Sequence, residues 1–385
     1  LAEGIMETVR AGQIFKFFAG EALRMAGDHM RSLRPGIDVD VRREPVGVVA
    51  LITPWNYPIS IPAWKVAPAL AFGNAVILKP AELTPACAHL LAELIVASGA
   101  PPGVFNLLMG RGSVLGPALV GHPGVGAVSF TGSVATGRGV AAAAVQGMKR
   151  VQLEMGGKNP CVVMDDADLD LAVETAANGA FIATGQRCTA SSRIIVQRGI
   201  YHRFAERLVQ RMKAYRVDNA LAEGAEIGPV VSERQLKSNL DYVALAKREG
   251  CEVVGGEQLE RPTDGFYQAP ALFLDATNEM RVSREEIFGP CASMIPVGDL
   301  DEAIALANDT EFGLCSTIIT TSLRSAQQFK RRSQVGMVNV NLPSAGVDYH
   351  VPFGGRKASS FGPREQGRTA IDFYTIWKTA YTFAG

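Results

Sequence analysis

The sequence predicts an α/β protein of about two or three domains. Three observations carry that reading. Short apolar, strand-like runs alternate with helical stretches from Val46 onward, the signature of βαβ units and a parallel sheet. The 40 glycines and 21 prolines are spread along the chain at putative strand–helix turns, as α/β connections require. And 385 residues exceed what one ordinary hydrophobic core organises.

Taken in order, residues 5–26 read as a helix, with Ile14, Phe17, Phe18 and Leu23 at helical spacing. Val39 to Glu44 alternates like an exposed strand. Strands follow at 47–52, 75–78, 105–108 and 127–130, with a helix near 62–70 and further helical stretches between them. A second α/β set begins near Asn159. It runs through a helix over 168–184 and strands at 159–164, 193–197, 251–254, 291–297, 316–320 and 335–340. The last alternating run, Asp372 to Thr379, is a strand that needs a partner sheet, which points to another subunit.

Composition narrows the function classes. Lys+Arg and Asp+Glu balance at 38 each, so no basic field points to nucleic acid. No apolar run reaches membrane-spanning length, and no signal peptide opens the sequence as given. The chain starts at Leu1 inside a helical pattern, so a cut N-terminus is expected. The six cysteines form no CxxC pair, which favours a reducing, cytoplasmic setting over a disulfide framework. The five histidines make no HExxH or HxxxH pattern, so no metal site is expected. Asp165 to Asp170 lacks the glycine and distal glutamate of a calcium loop and reads as a helix cap. Lys330-Arg331-Arg332 reads as a solvated face.

Several turns could carry chemistry. Gly110-Arg111-Gly112-Ser113-Val114-Leu115-Gly116 follows a strand and opens a helix, where backbone N–H groups can approach a pyrophosphate. It is GxGxxxG and equally suits an ordinary βα turn. Phe130-Thr131-Gly132-Ser133 is a second such turn. Lys79 and Glu82 at a strand end suit ribose hydroxyls, and the carboxylate favours NAD over NADP. Asn56, in the proline-stiffened run Thr53-Pro54-Trp55-Asn56-Tyr57-Pro58, offers an oxyanion donor. Cys188 is either a buried filler or a nucleophile. Glu154, before Gly156-Gly157, is either a loop carboxylate or a general base.

Together these motifs resemble the NAD(P)-dependent aldehyde dehydrogenase superfamily. The resemblance runs in order through PWNYP at 54–58, KPAELTP at 79–85, FTGS at 130–133, LEMGGKNP at 153–160, GQRC at 185–188, EEIFGP at 285–290 and PFGGRK at 352–357. The region from Leu342 to Gly367 is similar to the α-ketoglutaric semialdehyde dehydrogenase branch.

The resemblance implies that Cys188 is the nucleophile, Glu154 the general base and Asn56, with the Cys188 N–H, the oxyanion donor. It implies cofactor contacts at Thr53, Trp55, Lys79, Glu82, Gly112, Gly116, Phe130, Ser133, Glu286 and Phe288. The implied reaction is oxidation of a short aldehyde with a distal carboxylate, by NAD or alternatively NADP, through a thiohemiacetal and a thioester. Arg187, Ser344 and His350 are candidate anchors for that carboxylate.

The implied fold is a Rossmann-like cofactor domain, an α/β catalytic domain and a β oligomerisation arm, giving homodimers or homotetramers. Its boundaries are a helix of the cofactor domain at 1–26, the arm hairpin at 27–45, the NAD-binding domain at 46–156, the catalytic domain at 157–357 and a return segment with the arm strand at 358–385. The family carries a further N-terminal segment, so part of the cofactor domain is expected to be missing. Ala183 stands where many members have Asn, and Ser360 where many have Gly. Three other readings remain. A coenzyme A-acylating relative is opposed by Glu154. A shortened, inactive structural relative is opposed by the intact Cys188, Glu154 and Asn56. A cysteine hydrolase lacks a histidine in a suitable motif.

Overall fold

The computed structural model describes residues 1–383 and 385. The chain divides into two compact units. The first comprises Ala2–Met155, Val347–Phe353 and Phe361–Gly385; the second comprises Gly156–Gly346 and Gly354–Ser360, with Leu1.

The first unit is built on a parallel sheet. Its strands lie in the order Arg150–Glu154, Ala127–Thr131, Val48–Ile52, Ala75–Lys79, Phe105–Leu107, with the short Ser360–Phe361 beyond the first of these. Numbered along the chain, the five parallel strands run 3-2-1-4-5. That is the doubly wound order, and its crevice opens where the order reverses, between Val48–Ile52 and Ala127–Thr131. Residues such as Ala50, Val128, Phe130 and Leu153 are buried on a core shared with Leu119, Val120 and Ala144 of the covering helices. The N-terminal helix Ala2–Ala22 packs along helix Ser60–Ala71. Glu7 fixes that contact: its Oε1 accepts the N–H groups of Ile59 and Ser60 at 2.8 and 2.9 Å.

The terminal strand Thr375–Phe383 finds its partner within the chain. It pairs antiparallel with Ile37–Pro45 over its whole length, and Asp28–Arg31 completes a three-stranded sheet. This corrects the expectation that the strand needs another subunit to pair. The strand is nonetheless an edge, with Ile376, Trp377, Tyr381 and Phe383 exposed.

The second unit holds a seven-stranded sheet ordered Glu252–Gly255, Ala271–Leu274, Cys291–Val297, Ser191–Gln197, Asn159–Val163, Cys315–Ile319, Met337–Val340. Only the first pair is antiparallel. Helices Leu169–Phe181 and Tyr201–Ala214 bury one core; Leu300–Asn308 and Leu323–Arg332 bury another. Asp168 caps the first of these helices, its Oδ1 accepting from Leu171 N, as the capping reading expects. Lys330, Arg331 and Arg332 are exposed on the last.

Four local expectations change. Leu23 lies past the end of the first helix and is 90% exposed. The helix expected over 168–184 stops at Phe181. Glu154 ends a strand rather than sitting in a loop. Ala271–Leu274 is a strand the sequence reading passed over. It is wholly apolar, and such a run carries no periodicity to separate strand from helix.

Candidate active site

In the first unit, the candidate residues gather at the carboxyl ends of the strands. Thr53 follows Val48–Ile52; its N–H donates to Lys79 O at 3.1 Å, while its buried hydroxyl has no hydrogen-bond partner. Trp55 and Asn56 lie half-buried in the loop that leads to helix Ser60–Ala71. Lys79, 3% exposed, ends its strand and reaches Glu82 at 3.2 Å. A Cβ on Gly112 would lie 3.3 Å from the Lys79 ammonium, whereas Gly116 faces open space. Helix Gly112–Gly121 has no side-chain cap from its own N-cap residue; the Gly112 N–H bonds the Glu82 carboxylate and Val114 N donates to Arg111 O at 3.1 Å, so its N-terminus already faces a negative charge.

At the neighbouring strand end, Gly132 must be glycine-sized: a Cβ there would meet the Phe130 ring at 2.5 Å. Phe130 itself packs in the core. Ser133 caps helix Val134–Gln146 through its side chain. Glu154, 2% exposed, ends the outermost of the five parallel strands, and its carbonyl accepts from Gly132 N at 3.1 Å.

In the second unit, the candidates gather at the amino ends of the strands. Helix Leu169–Phe181 runs into a turn in which Ala183, Thr184 and Gly185 take φ of 56°, 58° and 61°. Non-glycine residues pay for that conformation, and such strain collects at functional loops. Gly185 is obligatory, because a Cβ would sit 2.1 Å from Gly289 O. From Thr184 to Ser191 every residue is buried except Cys188. The loop is tied beneath the cysteine by Asn159, whose Nδ2 donates to Cys188 O at 2.8 Å and Ala190 O at 2.9 Å. The Asn159 Oδ1 in turn accepts from Cys315 N.

Burial pushes the thiols of Cys161, Cys291 and Cys315 up to about 12, and also raises those of Cys87 and Cys251. Thiols held protonated in this way are poor nucleophiles.

Glu286 stands beside the same loops. Its Oε1 accepts from Gly157 N at 2.9 Å, and its carboxyl packs where a Cβ on Gly156 would be. Burial lifts it to about 7, although the Gly157 N–H and the Lys158 charge act the other way. Lys158 is 1% exposed and its ammonium makes no hydrogen bond. Burial, helped by the Arg193 charge, pulls it down to about 7. Phe288 follows with φ of 60°, and Gln235 Nε2 donates to the carbonyls of Ile287 and Phe288. Fully buried Arg193 braces this end of the sheet by donating to Lys158 O, Asn278 Oδ1, Leu306 O and Ala307 O.

The structure changes the picture of the carboxylate anchors. Arg187 is buried and donates to Asn178 O. Ser344 is 1% exposed and shares a hydrogen bond with Ser191 Oγ at 2.8 Å. His350 is exposed. Sequence reasoning missed Asn159, Lys158 and Arg193, which look like ordinary polar residues. It also missed Lys65, which is fully buried on Glu365 and Ser129. The signal for Lys65 was present: a lone charge in the apolar run Ile61 to Ala69.

The sequence matches the aldehyde dehydrogenase family over residues 1–380. It is 45% identical to an α-ketoglutaric semialdehyde dehydrogenase of Bacillus subtilis, a match covering 99% of this chain and 79% of that protein. It is 40% identical to a 2,5-dioxopentanoate dehydrogenase of Saccharolobus solfataricus, covering 99% and 80%. Among solved structures, a betaine aldehyde dehydrogenase of Staphylococcus aureus in complex with NAD+ superposes with a TM-score of 0.96 at 36% identity, covering 99% of this chain and 76% of that one. Motif order, fold and these likenesses agree, and the chain belongs to the aldehyde dehydrogenase family.

Proposed function

We propose that the protein oxidises α-ketoglutaric semialdehyde, or a short aldehyde with a similar distal carboxylate, to the acid with NAD. The observation that carries the chemistry is the Cys188 loop: one partly exposed cysteine in a buried, strained turn, held by Asn159. The substrate class rests on the relatives at 40–45% identity.

The first unit fits a dinucleotide. Its strand order places a crevice at Thr53, whose buried hydroxyl lacks a partner. The helix N-terminus at Gly112 is assigned to the pyrophosphate, and Lys79 with Glu82 suits the adenosine ribose. Glu286 is assigned to the nicotinamide ribose, with Phe288 beside the ring. Thr53, Trp55, Gly116, Phe130 and Ser133 complete the assigned set. When bound, NAD supplies the hydride acceptor that turns a Cys188 thiohemiacetal into a thioester.

The protein's own groups do the rest. The Cys188 thiolate attacks the aldehyde carbon. The Asn56 side-chain amide and the Cys188 N–H donate to the oxygen that gains charge. Glu154 then takes a proton from water, which attacks the thioester carbonyl; the acid leaves and the thiolate returns. A homo-oligomer is assigned to the arm, whose edge strand exposes Trp377 and Tyr381.

The test is NADH formation with ω-carboxy, aliphatic and trimethylammonium aldehydes, each with NAD and NADP. The wild type turns over the ω-carboxy aldehyde with NAD in preference to the others. Cys188→Ala abolishes turnover of all of them; retained steady-state turnover in that variant defeats the assignment.

A further inference from the structure

We propose that Arg10 is the residue that receives the distal carboxylate of the substrate. The inference rests on the substrate class proposed above and names the group that selects it.

Arg10 lies on the N-terminal helix Ala2–Ala22, on the face that also carries Glu7 and Phe17. Contacts on either side of Arg10 fix where that face points. Glu7, three residues before it, accepts the N–H groups of Ile59 and Ser60. Phe17, seven residues after it, packs on Tyr349 with ring centroids 5.8 Å apart. Arg10 is therefore bracketed by the loop that follows Asn56 and by the segment Val347–Phe353. The groups acting on its guanidinium agree with that placement: they are Tyr57, adjacent to Asn56, and Asp348.

The chemistry of the side chain is unusual for a surface helix. Its Nε and Nη2 are shut off from water and make no hydrogen bond. Burial lowers its pKa, and Asp348 and Tyr57 only oppose that shift. No ion pair within 4.0 Å joins Arg10 to Asp348 among the described residues. A guanidinium with open donors in a water-poor setting is a ready partner for a carboxylate, which accepts two parallel N–H bonds. The residue as a whole is only partly covered, so a rotation of its long side chain presents the fork to a ligand. Of the earlier candidates, Ser344 shares its hydroxyl with Ser191, and Arg187 commits Nη2 to Asn178 O while its Nε, like that of Arg10, has no partner. A trimethylammonium aldehyde, the substrate class named by the betaine aldehyde relatives, meets the wrong sign of charge here.

Removing the charge by Arg10→Met, or by Arg10→Gln with closer volume and polarity, reads the proposal through a ratio that a folding defect does not move. The kcat/KM for α-ketoglutaric semialdehyde relative to butanal falls roughly 10- to 100-fold, mostly through KM, as expected for loss of a charge-assisted hydrogen bond. The ratio for betaine aldehyde relative to butanal rises or holds. Arg10→Lys keeps part of the preference. An unchanged semialdehyde-to-butanal ratio overturns the proposal.

Glutarate, a dicarboxylate with no aldehyde, separates the anchor from the substrate reading. Calorimetry gives binding to the wild type that is lost in Arg10→Met, and equal binding to both refutes the anchor. A wild type that oxidises butanal but not the semialdehyde refutes the substrate reading alone.

Discussion

The two sheets of this protein place their candidate residues at opposite ends. In the first unit Thr53, Lys79, Gly132, Ser133 and Glu154 all stand at the carboxyl ends of parallel strands, where doubly wound sheets open their crevice. In the second unit the turns that carry Gly157, Cys188 and Glu286 all lead into the amino ends of strands Asn159–Val163, Ser191–Gln197 and Cys291–Val297. The difference has a physical origin. A carboxyl-end crevice uses what every βα unit offers, namely helix N-termini and open backbone. The amino-end cluster has to be constructed. Asn159 ties the Cys188 loop, Gly157 holds Glu286, and Gly185 lets the turn touch Gly289. One sheet supplies a generic binding edge; the other supports a strained, specific one.

The contrast breaks most easily at Gly185. Its φ of 61° and the 2.1 Å approach to Gly289 O leave no room for a side chain. Gly185→Ala therefore costs on the order of 3 kcal/mol and displaces the cysteine loop. Thermal melting and titration of Cys188 with iodoacetamide measure the two effects. Native stability with native Cys188 reactivity removes the claim that this turn is constructed.

A smaller effect sharpens the comparison at Glu286. Its carboxyl, lifted to about 7, is charged only above that pH. The carboxylate is the stronger acceptor for ribose hydroxyls, so NAD affinity weakens about severalfold from pH 8 to pH 6 as the group protonates. Glu286→Gln flattens that profile, and fluorescence titration of NAD against pH shows it. Parallel profiles in both proteins would detach the pH dependence from Glu286. The stability term runs the other way. The folded state holds this proton more tightly than the unfolded chain, so the contribution is full below about 4.5 and lost as pH rises through about 7.

Much of the first unit was legible because its cues are local. Apolar strands, glycine turns and strand-end polar residues lie next to one another in sequence, and all four strands read there recur. Arg150–Glu154 escaped because Glu154-Met155-Gly156-Gly157 reads as a loop, yet its first residue ends a strand. In the second unit Cys188 and Glu286 are picked out as candidates by the motifs around them. Their supports are not. Asn159 meets Cys188 and Cys315 across long sequence separations, and Arg193 reaches Asn278, Leu306 and Ala307; nothing local marks such partners.

Ala183 is the instructive case, standing where many members of the family have Asn. In the structure Ala183 takes a left-handed φ of 56°, a conformation that Asn tolerates and Ala resists. Arg10 is the converse, a plain helical arginine in sequence whose open donors only the fold reveals.

The proposed function gives Cys188 the attack on the aldehyde and Glu154 the release of the acid. Rapid mixing of Glu154→Gln with NAD and α-ketoglutaric semialdehyde, followed by NADH absorbance, tests this most directly. The expected trace is a burst approaching one NADH per Cys188, then a steady rate reduced roughly 100-fold or more, the loss typical of a missing general base. A steady rate equal to wild type would contradict the account, as would the absence of any burst.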